Sequence, residues 1–362
     1  MAEMDQINVS THRYIRENPA LVDNFFQNDP FLAYAKLNLR EEWNGGSLIQ
    51  EDFFYSNLIG GPVGKGQEFD ITEKQVEQGC QFVPKIEEVN VTLSKEDLQV
   101  FNTGPNAAFR LIDSRMTNAY MTMGANVAIG LYLNGQTGTY VKNLNGLAEI
   151  CNDNTTASWD GSLYSSYGGI TRGGTVGQTL NGYVQNVNGT ISYNALEESY
   201  GAVSFGNVEP NLGVTTVKGY SYIKEKFQTQ QRFNDTQDIA IGFNGLKFNS
   251  ATIIKSRYCP GSDIATAGTT SNLAAVSMLS VMSNGAVTAY PTLAVSSSET
   301  LFWINARKPF LNLYISKDPE FGFGFTGFKP AQGNLKVAGQ VLAALNITAA
   351  PRYQGQVYGI TG

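Results

Sequence analysis

The chain has 362 residues, of which 42% are hydrophobic and only 15% are charged, and its formal net charge at pH 7 is −6. Typical soluble domains carry about 25% charged residues, so this composition indicates that much of the surface is not free to face water. Because no cluster of Lys and Arg accompanies the negative net charge, tight nucleic-acid binding through phosphate neutralisation is not expected. A surface that lines packed DNA without gripping it remains compatible with this charge.

The N-terminal segment and the cysteines give two further expectations. The first 26 residues lack the basic-then-apolar pattern of a signal peptide, and the best apolar run, residues 341–350, is too short to span a bilayer. We therefore expect synthesis in a cytoplasm and no contact with a membrane. Cys80, Cys151 and Cys259 are widely spaced and belong to no metal-binding pattern, which favours reduced thiols that pack as small hydrophobic residues.

Residues suited to catalysis are scarce. The single histidine, His12, lies in a polar stretch far along the sequence from any candidate nucleophile, so neither a Ser-His-Asp site nor a histidine-rich metal site is expected. The segment GGPVGKG at 60–66 is similar to a phosphate-binding loop, but its glycine spacing is one residue short and Gly66 stands where a Ser or Thr is required. Neighbouring acids such as Glu197 and Glu198 are typical of a surface. We predict no enzyme activity, no cofactor and no metal.

Residues 44–84 predict a long two-stranded arm. The flanking runs 47–58 and 67–83 mix apolar and charged residues in partial alternation, and Gly and Pro residues between them predict a turn near Lys65. An isolated two-stranded ribbon is marginal in water, so the arm is expected to lie on something else, and a neighbouring subunit is the obvious candidate.

A long helix is predicted over residues 106–133, with Asn106 as its N-cap. At 1.5 Å per residue it would be about 40 Å long. Its apolar stripe needs a sheet beneath it, and the segment 335–347 has matching length and strand patterning. The stripe recurs at steps of three and four residues: Ala108, Ile112, Met116, Ala119, Met123, Val127 and Leu131.

The middle of the chain, residues 136–304, is rich in Gly, Asn, Ser and Thr and predicts an α+β subdomain with long loops. Ser192 is placed to cap one helix, which stops at Gly206, and Thr216 is placed to cap another. Residues 243–248 are predicted to turn into a strand that continues through 253–254. The apolar faces of the two helices contain Tyr193, Leu196, Tyr200 and Val203 in the first, and Tyr220, Ile223 and Phe227 in the second.

Several segments, taken in order, resemble the major capsid protein of tailed bacteriophages, which has the Hong Kong 97-type fold. The resemblance covers nearly the whole chain from about residue 30, and the ordered set is more specific than any one segment. The segments are GLAEICNDNTTASWDGSLYSSYGGITRGG (146–174), ISYNALEESYGAVSFG (191–206), PNLGVTTVKGYSYIKEKFQTQQRF (210–233), GLKFNSATIIKSRYCPGS (245–262), LFWINARKPFLNLYI (301–315) and RYQGQVYGITG (352–362).

This resemblance implies a division of the α+β chain into four parts. Residues 1–43 would be an N-terminal arm, and 44–84 the extended β-hairpin loop that lies over an adjacent subunit. Residues 85–135 and 305–362 would form the peripheral domain with its spine helix at 106–133, and 136–304 the axial domain. The tip of the extended loop is the expected intersubunit contact, and its residues are Gly60, Gly61, Pro62, Gly64, Lys65 and Gly66.

The function that the resemblance implies is a structural shell protein of a virion. Many copies would assemble as hexamers and pentamers into an icosahedral head, with portal and possibly scaffold or decoration proteins as partners, and would enclose double-stranded DNA without sequence-specific binding. Some members of the family cross-link a loop lysine to a neighbour's asparagine; Lys65 and Lys74 lie in the right segment, but no local motif matches, so no such bond is expected. Two alternatives remain open: a bacterial encapsulin-like compartment shell, and a β-rich hydrolase of the Gly/Asn-rich kind.

Overall fold

A computed structural model describes residues 29–66, 68, 71–95, 105–136, 142–228, 236–238, 244–256, 258–261, 298–330 and 335–362. His12 and most of the segment 262–300 therefore lie outside the described residues. The described chain is built around two mixed sheets with helices packed against them. Within these ranges, no helix is both long and apolar enough to cross a lipid bilayer.

The first sheet has six strands and is organised by one long strand, β16. On one side β16 pairs with β4 over its first ten residues; on the other it pairs with β15, β14 and β13 in turn, and β1 adds to β13 in parallel. β16 alternates exposed and buried residues at first and is almost wholly buried later, as its increasingly apolar sequence dictates. The strands are β1 (Arg40–Trp43), β4 (Lys85–Ser94), β13 (Leu311–Ser316), β14 (Gly322–Phe325), β15 (Lys329–Pro330) and β16 (Lys336–Ala349).

The long helix of the sequence analysis is present as α2, Pro105–Gly130, and packs on β4 and β16. It begins one residue before Asn106, which is therefore inside the helix and is not its cap. Pro105 suits the first helical turn because its missing N–H has no partner there in any helix. The predicted stripe is confirmed wherever its side chains are described, since all of these are at most 6% exposed: Ile112, Met116, Ala119, Met123, Val127 and Leu131.

A short helix, α1 (Pro30–Asn38), leads directly into β1. The Asp29 carboxylate caps it by accepting a hydrogen bond from the Leu32 amide at 3.0 Å, and Phe31 and Leu39 are fully buried. Of the residues that the sequence analysis places in an N-terminal arm, 30–38 therefore form a helix packed in the subunit's own core, and 40–43 add a partly exposed strand to its first sheet. The physical reason is the apolar content of this helix, which needs burial.

The second sheet has seven strands, and its order is β7-β17-β12-β8-β11-β10-β9. Every residue of β8 and β12 is buried, because helices cover one face of the sheet and the hydrophobic core that contains α2 covers the other. Its strands are β7 (Tyr183–Thr190), β8 (Leu212–Thr215), β9 (Thr236–Asp238), β10 (Asn244–Phe248), β11 (Ala251–Lys255), β12 (Glu299–Ile304) and β17 (Gly355–Thr361).

Two helices pack on this sheet with the caps that the sequence predicts, although the first ends at Ala202 and not at Gly206. In α4, Tyr193–Ala202, the Ser192 hydroxyl caps the helix by accepting a hydrogen bond from the Ala195 amide at 3.1 Å. In α5, Val217–Gln228, the Thr216 hydroxyl accepts one from the Gly219 amide at 2.9 Å. The remaining regular segments are β2 (Ile49–Phe54), β3 (Glu77–Phe82), a four-residue helix α3 (Leu147–Ile150), β5 (Ser166–Tyr167), β6 (Ile170–Thr171), and 3-10 turns at Gly177–Leu180 and Pro351–Tyr353.

Two details of the strand assignments differ from the sequence analysis. Residues 244–248 form a strand and not the turn that enters one; the chain reverses at Asn249, whose positive φ of 49° suits a tight hairpin turn. The last strand, β17, joins the seven-stranded sheet between β7 and β12, whereas the C-terminal segment as a whole was assigned to the layer that contains β16. A seven-residue strand carries no local signal for one sheet over the other.

Candidate subunit interface

The predicted arm is present as a two-stranded ribbon. β2 and β3 pair antiparallel from Ile49 opposite Phe82 to Phe54 opposite Glu77, and they form a sheet of their own. One further backbone hydrogen bond, from the Tyr55 amide to the Val76 carbonyl at 3.0 Å, extends the pairing. Residues 47–58 and 67–83 were predicted as the strands, so the regular pairing is shorter than expected and leaves a longer connecting loop.

The base of the ribbon is built into the subunit. Ile49, Cys80 and Phe82 are each at most 4% exposed. The Gln81 amide donates to the carbonyl of Gly168 at 2.9 Å, and the Phe82 ring contacts the Tyr167 ring at 5.1 Å between centroids. These contacts pack the base of the ribbon against the short hairpin formed by β5 and β6.

A single carboxylate oxygen joins the base to the six-stranded sheet. Oε1 of Glu51 accepts hydrogen bonds from Asn312 Nδ2 at 3.1 Å, from the Tyr314 hydroxyl at 2.7 Å and from Thr348 Oγ1 at 3.0 Å. Burial, and then the hydrogen bond to Glu51, raise the pKa of Tyr314 above its ordinary value, so the phenol stays a donor. Three donors from two strands hold the ribbon in one direction relative to that sheet.

The distal half of the ribbon has the opposite character. Its large apolar side chains face solvent: Phe54 is 73% exposed, Leu58 71%, Ile59 50%, Val63 47% and Ile71 94%. Several exposed large apolar side chains on one loop are typical of an interaction surface, because exposed apolar area is costly in water.

The six candidate contact residues lie together at the end of this loop, and all of them are exposed. The turn predicted near Lys65 is present at residues 65–66, where Gly66 has φ of +85°, a value that side-chain-bearing residues avoid. Near the tip, Lys74 Nζ donates to the Asn57 carbonyl at 2.9 Å, which ties the two sides of the loop together. These candidate residues are Gly60, Gly61, Pro62, Gly64, Lys65 and Gly66.

Two kinds of reactive group can be assessed in the described part of the chain, the cysteine thiols and clusters of metal-binding side chains. Cys80, Cys151 and Cys259 are buried free thiols, and burial raises the pKa of Cys80 to about 12, so it is not a nucleophile at neutral pH. No group of three or more potential metal ligands occurs among the residues that the structure describes.

A buried polar cluster, which the sequence analysis missed, lies where α2 ends. The fully buried carboxylate of Glu149 accepts hydrogen bonds from the Gly135 amide at 3.3 Å, from Gln136 Nε2 at 2.7 Å and from Asn145 Nδ2 at 2.9 Å. Burial raises its pKa, and these donors together with the charge of Arg172 oppose that rise. No local pattern in the sequence marks such a cluster, because its members meet only through the fold.

Arg172 completes the cluster by binding main-chain carbonyls. The buried guanidinium donates to the carbonyls of Leu180 at 2.7 Å and Glu149 at 2.6 Å, and also to that of Asn152. These contacts fix the loops between α2 and β7, and with them the β5–β6 hairpin on which the ribbon base rests.

Comparison with known proteins identifies the fold. No protein-family model matches the chain, and no curated protein matches it in sequence. Solved structures do match: the capsid of cyanophage A-1(L) has a TM-score of 0.59 at 11% identity, covering 90% of this chain and 92% of that one. The capsid of a native GTA particle has a TM-score of 0.53 at 8% identity, with coverage of 91% and 90%.

A third match is to an encapsulin complex. The holo-SrpI encapsulin complex of Synechococcus elongatus has a TM-score of 0.50 at 9% identity, covering 90% of this chain and 86% of that one. The similarities span nearly the whole chain and share one architecture, so the chain has the Hong Kong 97-type capsid fold. The predicted fold class is therefore confirmed.

Proposed function

We propose that the protein is the major capsid protein of a tailed double-stranded DNA bacteriophage, which assembles itself into the hexamers and pentamers of an icosahedral shell around the genome. The observation that supports this most directly is the ribbon, whose base is fixed in the core while its distal half exposes five large apolar side chains. A projection of this kind buries little of its own apolar area within one subunit. It suits a chain that lies across a copy of itself.

The proposed division into domains follows the two sheets. The layer of α2 on the six-stranded sheet, residues 85–135 and 305–362, is proposed as the peripheral domain, and residues 136–304 as the axial domain whose loops meet at the capsomer centre. Two segments modify these bounds: 30–43 add a helix and strand to the peripheral layer, and β17 belongs to the axial sheet. The extended loop is proposed to contact an adjacent subunit through Gly60 to Gly66.

The proposed partners follow from the same role. Further copies of the chain are the principal partner, and a portal and scaffold or decoration proteins would complete the particle, which places the protein in the virion after synthesis in the host cytoplasm. With a net charge of −6, the subunit would enclose DNA without binding a particular sequence. The role is structural and involves no catalysis or cofactor.

A compartment shell is the second candidate, and the similarity to an encapsulin complex over 90% of this chain favours it specifically. The two functions differ in what the lumen contains, since a phage head holds DNA and such a compartment would hold protein cargo. The fold supports either.

Electron microscopy of the purified full-length chain tests both candidates together. We expect closed shells or isolated capsomers, and particles from infected or expressing cells should contain nuclease-protected DNA if the phage assignment is correct. Shells that hold protein and no DNA would transfer the assignment to the compartment. A monodisperse monomer at all concentrations would refute both and favour the hydrolase alternative.

A further inference from the structure

Seven Asn-Gly pairs occur in the sequence, and each carries a possible reaction of its own. The backbone nitrogen of the glycine can attack the side-chain amide of the asparagine, because glycine has no Cβ to hinder the approach. The reaction needs a backbone that can bend locally and a glycine N–H that no hydrogen bond restrains. The structure describes six of the pairs: 44–45, 134–135, 145–146, 181–182, 188–189 and 244–245.

Three of these pairs have a glycine N–H that is already committed to an acceptor. The N–H of Gly135 donates to the Glu149 carboxylate at 3.3 Å. Those of Gly146 and Gly182 donate to main-chain carbonyls, each at 2.9 Å. To react, each of these glycines would first have to lose its hydrogen bond, which requires local opening of the fold.

Two further pairs lie within strands of the seven-stranded sheet. Residues 188–189 belong to β7, which pairs with β17, and residues 244–245 belong to β10, which lies between β9 and β11. The ring that the reaction forms does not fit an extended, paired backbone. These pairs too would have to open before they could react.

The pair Asn44-Gly45 has none of these restraints. Both residues are exposed, and the connector 44–48 between β1 and β2 contains no helix or strand. The Gly45 N–H makes no hydrogen bond to any residue that the structure describes. Gly45 has φ of +110° and Gly46 φ of +108°, and no atom lies within 4 Å of the position that a Cβ of Gly45 would take. The backbone here has the freedom that the other pairs lack.

We propose that Asn44 is a site of spontaneous deamidation, at which the subunit is converted to an aspartyl and an isoaspartyl form. The Gly45 nitrogen forms a bond to Cγ of Asn44, the Cγ–Nδ2 bond breaks, and Nδ2 leaves as ammonia with the proton that the backbone nitrogen gives up. Water then opens the resulting succinimide at either carbonyl. One water enters for each ammonia released, and neither an oxidant nor an enzyme is needed.

The modified position lies where the chain enters the ribbon. The connector is fixed at both ends, since the Trp43 carbonyl accepts from the Lys317 amide at 3.0 Å and Ile49 is 4% exposed. Both products add a negative charge, and the isoaspartyl form also adds a carbon atom to the main chain. The two glycines that follow can absorb that extra length, so the modified subunit should stay folded. The proposal does not depend on the proposed function.

Peptide mapping of the full-length protein tests the site. The purified protein is held at mildly alkaline pH and digested at intervals, and mass spectrometry with chromatographic separation follows the aspartyl and isoaspartyl forms of each Asn-Gly peptide. Asn44 should deamidate at least about tenfold faster than the other described pairs, since an opening cost of about 1.4 kcal/mol is enough for that ratio. A rate at Asn44 no higher than that at Asn188, which is also exposed, would overturn the proposal.

Two controls separate the effect of the fold from that of the local sequence. In urea that unfolds the chain, the rates at the described pairs should converge, because no backbone is then restrained. Asn44→Gln in the folded protein should abolish deamidation of that peptide alone, since glutamine would have to close a larger ring. An advantage of Asn44 that persists undiminished in urea would show that the fold does not select the site, and would also overturn the proposal.

Discussion

Met123 provides the sharpest test of how α2 packs. The side chain is 0% exposed and belongs to the main core, between the helix and the sheet formed by β4 and β16. Replacing it with Asp removes a large apolar side chain from a close-packed site and introduces a carboxylate there. Both changes act in the same direction.

The expected cost exceeds what a subunit of this kind can sustain. Truncation of a buried Met costs about 2–5 kcal/mol, and an unpaired buried carboxyl group adds several more, partly relieved by protonation. The free energy of unfolding of a single protein is about 5–15 kcal/mol, so Met123→Asp should remove most or all of this stability and give insoluble protein. Met121, two residues away on the same helix, is 51% exposed, and Met121→Asp should change stability by less than about 0.5 kcal/mol.

The assay is the soluble yield of each variant, followed by urea denaturation of whichever is soluble. Soluble Met123→Asp protein with a denaturation midpoint equal to that of Met121→Asp would show that the helix does not present Met123 to the sheet. The packing of α2 described above would then be wrong.

Three further predictions concern the loop, DNA and pH. Replacing residues 57–74 with a short Gly linker should leave a folded, soluble subunit, because the buried base of the ribbon is retained. Its shells should be absent or should dissociate at lower temperature, as measured by light scattering. At about 0.15 M salt, the unassembled subunit should bind duplex DNA no more tightly than about 10⁻⁴ to 10⁻⁶ M in a fluorescence titration, and submicromolar binding would reveal a basic surface. Burial raises the pKa of Asp29 to about 6, so its contribution to stability should fall as the pH rises from about 4 through 6. Asp29→Asn, which keeps a capping oxygen, should make the fall in denaturation curves smaller, and the remainder is expected from Glu87 and Glu149, whose pKa values burial also raises.

The features of the fold that the sequence predicts are those with local causes. The stripe in α2 follows from side-chain spacing within one helix. The caps at Ser192 and Thr216 follow from a hydroxyl that lies three residues before a backbone amide in need of an acceptor. The same logic applies to α1, where Asp29 and Pro30 form a cap followed by a favourable first residue. Asp29 and Pro30 therefore mark the start of α1 locally.

Features that depend on distant partners could not be predicted in this way. β17 lies between β12 and β7, and nothing in GQVYGIT distinguishes that position from an edge of the other sheet. The cluster of Glu149 and Arg172 brings together residues from separate loops. A groove beside Trp43 is lined by residues 43–47 and by residues from 316 to 321. These two segments lie about 270 residues apart in sequence, and only the complete fold brings them together.

In the proposed shell, the ribbon would serve both folding and assembly. Its base is stabilised by burial and by the three hydrogen bonds to Glu51, all of which exist in a single subunit. The apolar side chains of its distal half, such as Leu58 and Ile71, stay exposed in the subunit, and in the proposed shell association would bury that area. Because the base fixes the direction of the ribbon beforehand, association does not have to pay the full entropy of ordering a long loop. A rigid base with an unsatisfied tip therefore favours docking between copies over collapse onto the same subunit.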